Sequence, residues 1–248
     1  MAIIDIEMGE TSLPRMYRDL AVWWPLISPV EDYRDEATFI AGLFGRAQIP
    51  VLEVLELGSG GGHVARHLRD RYSMTLVDMS PEMLAMSRQI NPDLEHIEGD
   101  MRDVRLDRQF DGVLIHDAVM YMTTVQDLRA AIETAYAHCR RGGETVIAPD
   151  FTLELFQPTT SHEGVDDASG RGVRYLEWTW DPDPSDTNVR VDYVYALRDE
   201  QGNVEVVHDP HQVGVFPRST WLGLLEEVGF TADSVMDPEG REIFLGFR

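Results

Sequence analysis

The sequence contains no lysine, because all 21 of its basic residues are arginine, and these face 44 aspartates and glutamates. Without a lysine amine, Schiff-base enzymes such as those using pyridoxal phosphate are excluded, and so is the P-loop, which needs a lysine for its phosphates. The formal net charge of −23 at pH 7 would repel a phosphate backbone. We therefore expect no nucleic-acid partner.

Cysteine is almost as scarce, since Cys139 is the single example. No intrachain disulfide and no multi-cysteine metal site can form, which fits a reducing cytoplasm. No apolar run approaches the roughly 18 residues needed to span a bilayer. The opening residues MAIIDIEMGETSLPR lack the basic start and long apolar middle of an export signal. We expect a cytoplasmic monomer or homodimer with no membrane partner.

What the sequence does contain is an alternation of short apolar runs with helical patterns between residues 51 and 150. Buried strands are predicted at 51–57, 74–78, 94–98, 112–115 and 144–148, with helices at 63–71, 81–89 and 125–139. Thr124 followed by Asp127 gives the third helix a start that resembles a capping box. Such alternation predicts an α/β fold with a doubly wound parallel sheet and right-handed crossovers.

The segments outside residues 51–150 do not show this alternation of strands and helices. Residues 1–50 are predicted to be helical, with residues 32–44 periodic, and to form an N-terminal lid. Residues 151–215 are predicted to be an antiparallel β insertion on the substrate side, including a hairpin that turns at 200–203. Residues 216–248 return to the core as a helix, capped near Ser219 and ending before Gly229, and a final strand.

A glycine-rich turn, residues 58–62, follows the first predicted strand directly and precedes a helix. Glycines let the backbone turn sharply and approach a ligand, and the free N–H groups of the helix attract negative charge. A nicotinamide-dinucleotide site would have the pattern G-x-G-x-x-G/A. Here His63 occupies the sixth position and is too large for that packing role, so the turn reads G-x-G-x-G.

Polar residues end three further strands at the edge where open α/β sheets bind ligands. Asp78 suits the two hydroxyls of a ribose, a feature that nicotinamide enzymes share. Asp100 can accept a hydrogen bond from an exocyclic amine, while Met101 offers an apolar surface to a purine ring. His116 and Asp117 interrupt an otherwise apolar strand at its end.

These four segments, in this order and spacing, resemble the class I S-adenosylmethionine (SAM)-dependent methyltransferases over about residues 51–150. The lid sequence MYRDLAVWWPLISPVEDYRDEA and the antiparallel insertion resemble the small-molecule branch, such as antibiotic and sugar N-methyltransferases. The resemblance implies a Rossmann-like methyltransferase sheet and transfer of a methyl group from SAM, giving S-adenosylhomocysteine, to a small-molecule acceptor. The lid and insertion favour an amine nitrogen as the acceptor atom.

The resemblance also implies a set of site residues. The methionine part of SAM would be lined by Glu56, Gly58, Ser59, Gly60 and Gly62. Asp78 would bind the ribose, and Asp100 with Met101 the adenine. His116 and Asp117 would lie beside the sulfonium, and Tyr17 and Tyr33 would close over the cofactor. Met79 and Met83 complete the predicted cofactor-binding set. His116 and Tyr17 are the predicted catalytic residues, and Tyr121 and Trp178 the predicted substrate-binding residues.

Three alternatives remain open at this point. An O-methyltransferase would need a general base, for which His116, with an unperturbed pKa of about 6.5, is the obvious candidate. A protein that binds SAM without transferring its methyl group would have the same motifs, and a nicotinamide oxidoreductase would share the glycine turn and Asp78. No metal site is expected. His63 and His67 share a helix face without a visible third ligand, and His208 and His211 lie three apart in a predicted loop.

Overall fold

A computed structural model of the protein describes residues 13–248 and places them in two β-sheets with helices around the larger one. The first 12 residues of the predicted lid lie outside the described part of the chain. Six α-helices are described: α1 (Trp24–Ile27), α2 (Arg34–Leu43), α3 (His63–Leu68), α4 (Pro81–Ile90), α5 (Val125–His138) and α6 (Arg218–Val228).

The larger sheet has seven strands: β1 (Glu53–Leu57), β2 (Ser73–Asp78), β3 (Glu95–Glu98), β4 (Phe110–His116), β5 (Cys139–Ala148), β10 (Thr231–Met236) and β11 (Glu242–Phe247). Their order is β10-β11-β5-β4-β1-β2-β3. Strands β1 to β5 pair in parallel, and β11 is antiparallel to both of its neighbours. The predicted α/β fold with a doubly wound Rossmann-like sheet is confirmed. The carboxyl ends of β1, β2, β4 and β5 meet at one edge.

The second sheet is the predicted antiparallel insertion, with four strands in sequence order: β6 (Thr159–Asp166), β7 (Gly172–Trp180), β8 (Asn188–Arg198) and β9 (Val204–Gly214). The alternating residues of β8 pack as predicted, because Val189, Tyr195 and Leu197 are all almost completely buried. Strands β6 and β10 escaped prediction, since β6 is exposed along its whole length and β10 is mostly polar or half-exposed.

Helix α6 begins one residue earlier than its predicted cap. The cap near Ser219 is wrong, because the backbone N–H of Arg218 instead donates to both carboxylate oxygens of Glu154, at 3.1 and 2.9 Å. The helix does end before Gly229, which has a φ of +119°. A side chain 64 residues away thus supplies the anion that a helix N-terminus attracts.

The N-terminal segment packs against both sheets. Met16 and Leu20 are buried against Val173 and Tyr195 of the insertion. Helix α2 lies against α3, and its Ile40 belongs to the same buried cluster as α3 and β2 residues. Tyr17 and Tyr33 are thereby held above the edge where the parallel strands end. None of the helices within residues 13–248 combines the length and apolar character that a membrane span requires.

Candidate active site

The glycine turn leaves β1 with the alternating left-handed backbone that only glycine adopts without strain. Gly58 has a φ of +75° and Gly62 a φ of +73°. A Cβ on Gly58 would lie 2.4 Å from the Cβ of Ala118 and 2.7 Å from the Cε of Met101. A Cβ on Gly62 would lie 2.1 Å from the Oγ of Ser87. The side chains packed around the turn therefore leave no room for a Cβ at Gly58 or Gly62.

Asp78 lies at the end of β2 and forms a hydrogen bond with the glycine turn. Its carboxylate accepts hydrogen bonds from the backbone N–H groups of Gly60, at 2.7 Å, and Ser80, at 2.8 Å. Burial raises the pKa of Asp78, and these two bonds oppose the increase. Helix α4 is capped by Ser80, whose Oγ accepts from the N–H of Met83 at 3.0 Å. Ser80, and not Asp78, therefore caps the N-terminus of α4.

The Ser80 hydroxyl also connects this edge of the sheet to the lid. It donates to the carbonyl oxygen of Tyr17 at 2.6 Å. Met83 is almost completely buried next to Gly60, whereas Met79 is 43% exposed. The two methionines predicted to bind the cofactor thus have different surroundings, and only Met83 forms part of the wall of the turn.

The predicted adenine residues follow β3. Met101 is buried and touches Gly58. The Asp100 carboxylate accepts from the guanidinium of Arg102, with Nε at 3.0 Å and Nη2 at 2.5 Å, and Arg102 also reaches Asp127 at 3.2 Å. Although burial opposes ionisation, Arg102 lowers the pKa of Asp100. Asp100 is therefore ionised, and an adenine amine would share its carboxylate with Arg102.

His116 ends β4 within a cluster of charged side chains. Its Nε2 lies 2.9 Å from Oε1 of Glu36 and 3.1 Å from Oδ1 of Asp117. The guanidinium of Arg241 contacts the Glu36 carboxylate, lies 3.7 Å from Asp117 and donates to Asp237 at 2.7 Å. These five residues, the β4-end cluster, join α2, β4 and the β10–β11 turn.

The cluster determines the protonation state of His116. Burial alone would lower its pKa, but the carboxylates of Asp117 and Glu36 outweigh burial and raise the pKa to about 9. Burial likewise opposes ionisation of Glu36, yet His116 and Arg241 lower its pKa to about 2. At neutral pH, His116 is therefore a cation held beside two carboxylates. This corrects the expectation that an unperturbed imidazole accepts a proton there.

The lid is fastened to α3 by aromatic contacts. The indole N–H of Trp24 donates to Nδ1 of His63 at 3.2 Å, and the two rings are stacked. The hydroxyls of Tyr33 and Ser28 share a hydrogen bond of 2.6 Å. The Tyr33 ring lies against both His63 and His116. Nε2 of His67 lies 2.7 Å from the carbonyl oxygen of Val30. His63 thus contacts the lid through Trp24, and His67 contacts it through Val30.

Acid is expected to loosen this contact. Burial lowers the pKa of His63 to about 4 from its ordinary value of 6.5, and its neutral Nδ1 is the atom that accepts from Trp24. The unfolded chain therefore takes up a proton first as the pH falls, and stability is lost between pH 6.5 and pH 4. The loss should reach about 3 kcal/mol, at roughly 1.4 kcal/mol per pH unit.

Urea unfolding at a series of pH values checks this, with His63→Phe as the comparison. The free energy of unfolding of each protein is compared with its own value at pH 7.5. Between pH 6.5 and pH 4, this free energy should fall less in the variant than in the wild-type protein. Superimposable curves would show that His63 takes up its proton equally in both states.

A second line of hydrogen bonds runs from the lid into the insertion. The Tyr121 hydroxyl lies 3.0 Å from that of Tyr17 and 2.7 Å from Nδ1 of His211. Nε2 of His211 lies 3.2 Å from Oδ2 of Asp209, which also accepts from the backbone N–H groups of Arg15 and Met16. We call Tyr17, Tyr121, His211 and Asp209 the Tyr–His network. It brings together the predicted Tyr17 and Tyr121.

Trp178, the other predicted substrate-binding residue, lies apart from this network. Trp178 is 49% exposed and stacks on Trp180 on the outer face of the second sheet, whereas Tyr193 and His211 lie on the inner face. Trp178 and Trp180 share the outer face because alternate residues of a strand point to the same side of the sheet. His208 and His211 lie on β9, not in a loop, and their odd spacing points them to opposite faces.

Sequence reasoning missed several residues of this site. Glu36 and Arg241 contact each other across 205 positions, and Asp209 contacts the lid across 193. Asp150 follows β5, beside Asp117. Its position directly after a strand could have revealed Asp150. The others offered no local pattern.

The residues at this edge fit SAM. Glu56 is buried beneath the glycine turn, and its Oε2, like the Oγ of Ser59, has no hydrogen-bond partner among residues 13–248. Burial, with the nearby Asp78 and Asp117, raises the pKa of Glu56 to about 8. Unsatisfied buried polar atoms are rare unless a ligand or water completes them. Together with the glycine turn and Asp78, Glu56 Oε2 and Ser59 Oγ can form hydrogen bonds with a charged, hydroxylated cofactor.

Comparison with known proteins agrees with this geometry. A methyltransferase-domain family matches residues 54–143. The dTDP-3-amino-3,6-dideoxy-alpha-D-glucopyranose N,N-dimethyltransferase of Streptomyces fradiae is 28% identical over 219 residues, covering 87% of this chain and 85% of the relative.

Two solved structures share the fold. The sugar N-methyltransferase KedS8 from Streptoalloteichus sp has a TM-score of 0.82 at 23% identity, covering 100% of this chain and 98% of that one. SAM-bound CalS10, an amino pentose methyltransferase from Micromonospora echinaspora, has a TM-score of 0.78 at 22% identity, covering 97% and 99%.

The sheet order, the glycine turn and the methyltransferase-domain match agree with the resemblance to class I SAM-dependent methyltransferases. The domain match and the curated N,N-dimethyltransferase relatives support a methyltransferase that uses SAM. Within the class it resembles the antibiotic sugar N-methyltransferases. The nicotinamide alternative is thereby set aside.

Proposed function

We propose that the enzyme methylates the amine nitrogen of a small amino sugar. The observation that carries the proposal is that the β4-end cluster and the hydroxyls of Tyr17 and Tyr121 lie at the same sheet edge as the glycine turn and Asp78. The curated relative from Streptomyces fradiae acts on a dTDP-linked amino sugar, which supports this acceptor class. An O-methyltransferase would need a base beside the methyl group, and a cationic His116 does not provide one.

In this proposal most of the predicted residues have a defined role. Glu56, Ser59 and the glycine turn hold the methionine part of SAM, Asp78 the ribose, and Asp100 with Met101 the adenine. SAM supplies a methyl group that is already activated on a sulfonium. The enzyme therefore needs chiefly to align the acceptor nitrogen, and positioning can supply several kcal/mol, on effective-molarity arguments. His116, with its proton, lies beside the sulfonium, while Tyr17 and Tyr33 close over the cofactor and exclude water.

The direct test combines binding and turnover. Calorimetry should show that SAM and S-adenosylhomocysteine both bind, and incubation of SAM with dTDP-3-amino-3,6-dideoxy-glucose should release S-adenosylhomocysteine and N-methylated sugar. Release with a hydroxyl-bearing analogue but not with the amine would contradict N-methylation. Binding without release for any acceptor would favour a SAM-binding protein with a non-transfer role.

The ribose assignment predicts a loss of cofactor affinity in Asp78→Ala. This change removes a carboxylate that can accept charge-assisted hydrogen bonds, each worth about 1.5–3 kcal/mol. The affinity for SAM, measured by calorimetry, should fall tenfold or more. The melting temperature should fall only modestly, because Ser80 caps α4.

Asp78→Asn is the matched control, since it keeps the size of the side chain and loses its charge, and its affinity should lie between those of the other two proteins. An unchanged SAM affinity in Asp78→Ala, together with a large drop in melting temperature, would show that the carboxylate serves the turn alone.

We further propose that the enzyme works in the cytoplasm, as a monomer or homodimer, without nucleic-acid or membrane partners. The support for this is compositional. The net charge of −23 disfavours anionic surfaces, and the single cysteine suits a reducing compartment. Sedimentation analysis would distinguish the two oligomeric states.

A further inference from the structure

The outer face of the second sheet, opposite to the face that the lid covers, exposes a continuous apolar surface. Leu176 and Val194 pair across β7 and β8, and Val206 pairs with Ala196 across β8 and β9. Trp178 is the next residue on this side of β7. Apart from the alanine, these side chains are all more than a third exposed. We call these residues and their exposed neighbour on β9 the outer patch: Leu176, Trp178, Val194, Ala196, Val204 and Val206.

The sequence of β7 is typical of a strand that is covered on both faces. An antiparallel sheet with one face in water normally has polar residues at every second position of its strands. In β7, Leu176, Trp178 and Trp180 occupy the outer positions, whereas the polar Glu177 and Thr179 occupy inner ones. Contiguous exposed apolar surface of this kind marks a site of interaction, because its removal from water is favourable.

The charged residues of the outer face are already paired with one another. Arg190 contacts Asp192 at 2.8 Å. Arg174 and Arg198 contact Asp166 at 2.6 and 2.8 Å. Covering the face would therefore leave none of these charges without a partner, which is the main cost of burying ions. The face has three arginines against two aspartates, in a chain whose net charge is −23. Two copies, which repel each other through their net charge, can thus approach through this face.

We propose that two copies of the chain form a homodimer by packing their outer patches against each other. A twofold arrangement presents the same surface from both copies, so apolar side chains meet apolar side chains. Two sheets that pack face to face lie about 10 Å apart, and their side chains interdigitate. This contact selects the homodimer from the two oligomeric states proposed above, and it does not depend on which acceptor the enzyme methylates.

The outer face has the size that such a contact needs. Its four strands have 8 to 11 residues each. The usual rise per residue and strand spacing give a face of roughly 30 Å by roughly 17 Å, or about 500 Å² in flat projection. Because protruding side chains make the accessible area larger than the projection, the face approaches the roughly 800 Å² per partner of a standard interface.

The contact lies directly behind the surface that supports the lid. The inner face of the same sheet buries Met16 and Leu20 of the lid against Tyr195. Asp209, on β9, accepts hydrogen bonds from the backbone N–H groups of Arg15 and Met16. In the homodimer this sheet is packed on both faces, by its own lid on one side and by the second copy on the other.

Sedimentation equilibrium over a range of protein concentrations tests this contact. We expect the wild-type chain to be a dimer at micromolar concentration. Leu176→Asp and Val206→Asp each place an unpaired carboxylate within the contact. Each should raise the dissociation constant of the dimer about 30-fold or more, as the loss of an interface hot spot does. Val206 is 68% exposed in the single chain, so its substitution should leave the monomer folded, which circular dichroism verifies.

Val125→Asp is the matched control. Val125 is 37% exposed, close to the 39% of Leu176, but it lies in the first turn of α5, which packs against β4 and β5. An aspartate is favourable at a helix N-terminus. This variant should therefore fold and dimerise like the wild-type chain.

Salt distinguishes an apolar contact from a charged one. Raising the ionic strength from about 0.1 M to about 1 M shortens the Debye length from about 10 Å to about 3 Å and weakens the repulsion between two acidic copies. The dissociation constant of the dimer should fall or stay unchanged. Dissociation by salt would overturn the proposal, because charged groups would then hold the two copies together.

Two further results would overturn the proposal. A wild-type monomer at micromolar concentration would do so, and protection of Trp178 from acrylamide in that monomer, judged against Trp178→Phe, would assign the outer patch to residues 1–12 of the same chain. A dimer that persists in both aspartate variants would place the contact elsewhere, such as at the edge strand β6. If the chain dimerises as expected but fails to methylate the amino sugar, the proposed function fails and the interface stands.

Discussion

Gly58→Ala is expected to cost the enzyme most of its affinity for SAM. The new Cβ would overlap Ala118 and Met101, at 2.4 and 2.7 Å, on a backbone whose φ of +75° disfavours any side chain. Left-handed strain and overpacking each cost about 1–3 kcal/mol. The turn can relieve both only by moving away from Met101. A rise in the dissociation constant of about 30-fold or more corresponds to the lower end of that range, and calorimetry measures it.

Gly223→Ala is the matched control for this change. Gly223 lies within α6, its φ is not left-handed, and a Cβ there would meet nothing within 4 Å. Alanine should be neutral, or should stabilise the helix by about 0.5–1 kcal/mol. Near-normal SAM binding by Gly58→Ala would show that the turn adapts, and that the cofactor contacts lie elsewhere.

Arg241→Met is expected to give the largest loss of folding stability. The guanidinium contacts Glu36 and Asp237, whose side chains are only 14% and 3% exposed. Removing one partner of a buried ion pair costs about 3–5 kcal/mol, because the remaining charge stays out of water. The loss appears in urea unfolding at pH 7. It should shrink as the pH is lowered far enough to protonate the carboxylates.

The control here is Arg46→Met, which breaks another ion pair with the β10–β11 hairpin. Arg46 meets Asp233 at 2.7 Å, but the two side chains are 39% and 49% exposed. Such surface pairs contribute about 0–1 kcal/mol. Equal losses in the two variants would mean that the β4-end cluster is hydrated well enough to tolerate an unpaired carboxylate.

The parts of the site that could be predicted from the sequence are those specified locally. Residues 58–62 and the strand-ending Asp78, Asp100 and His116 share the edge of one parallel sheet, so their positions along the chain also gave their positions in space. The helix starting at Val125 was predicted from its own cap, and Thr124 Oγ1 does accept from the N–H of Asp127.

The parts that escaped prediction depend on partners distant in sequence. The pKa of His116 is raised by the adjacent Asp117 and by Glu36 on the distant helix α2. The outward direction of Trp178 follows from which face of the second sheet the lid covers. No periodicity in either segment carries that information, because both depend on how separate elements meet.

The single thiol of Cys139 also bears on how this enzyme is studied. Its side chain is fully buried where α5 passes into β5, and burial raises its pKa to about 11. Alkylating reagents require an accessible thiolate, so the folded enzyme should resist them until this junction opens. The rate of thiol labelling would then report how often the core opens, at one known position, without any engineered probe. Saturating S-adenosylhomocysteine should slow that labelling if cofactor binding stabilises the whole sheet.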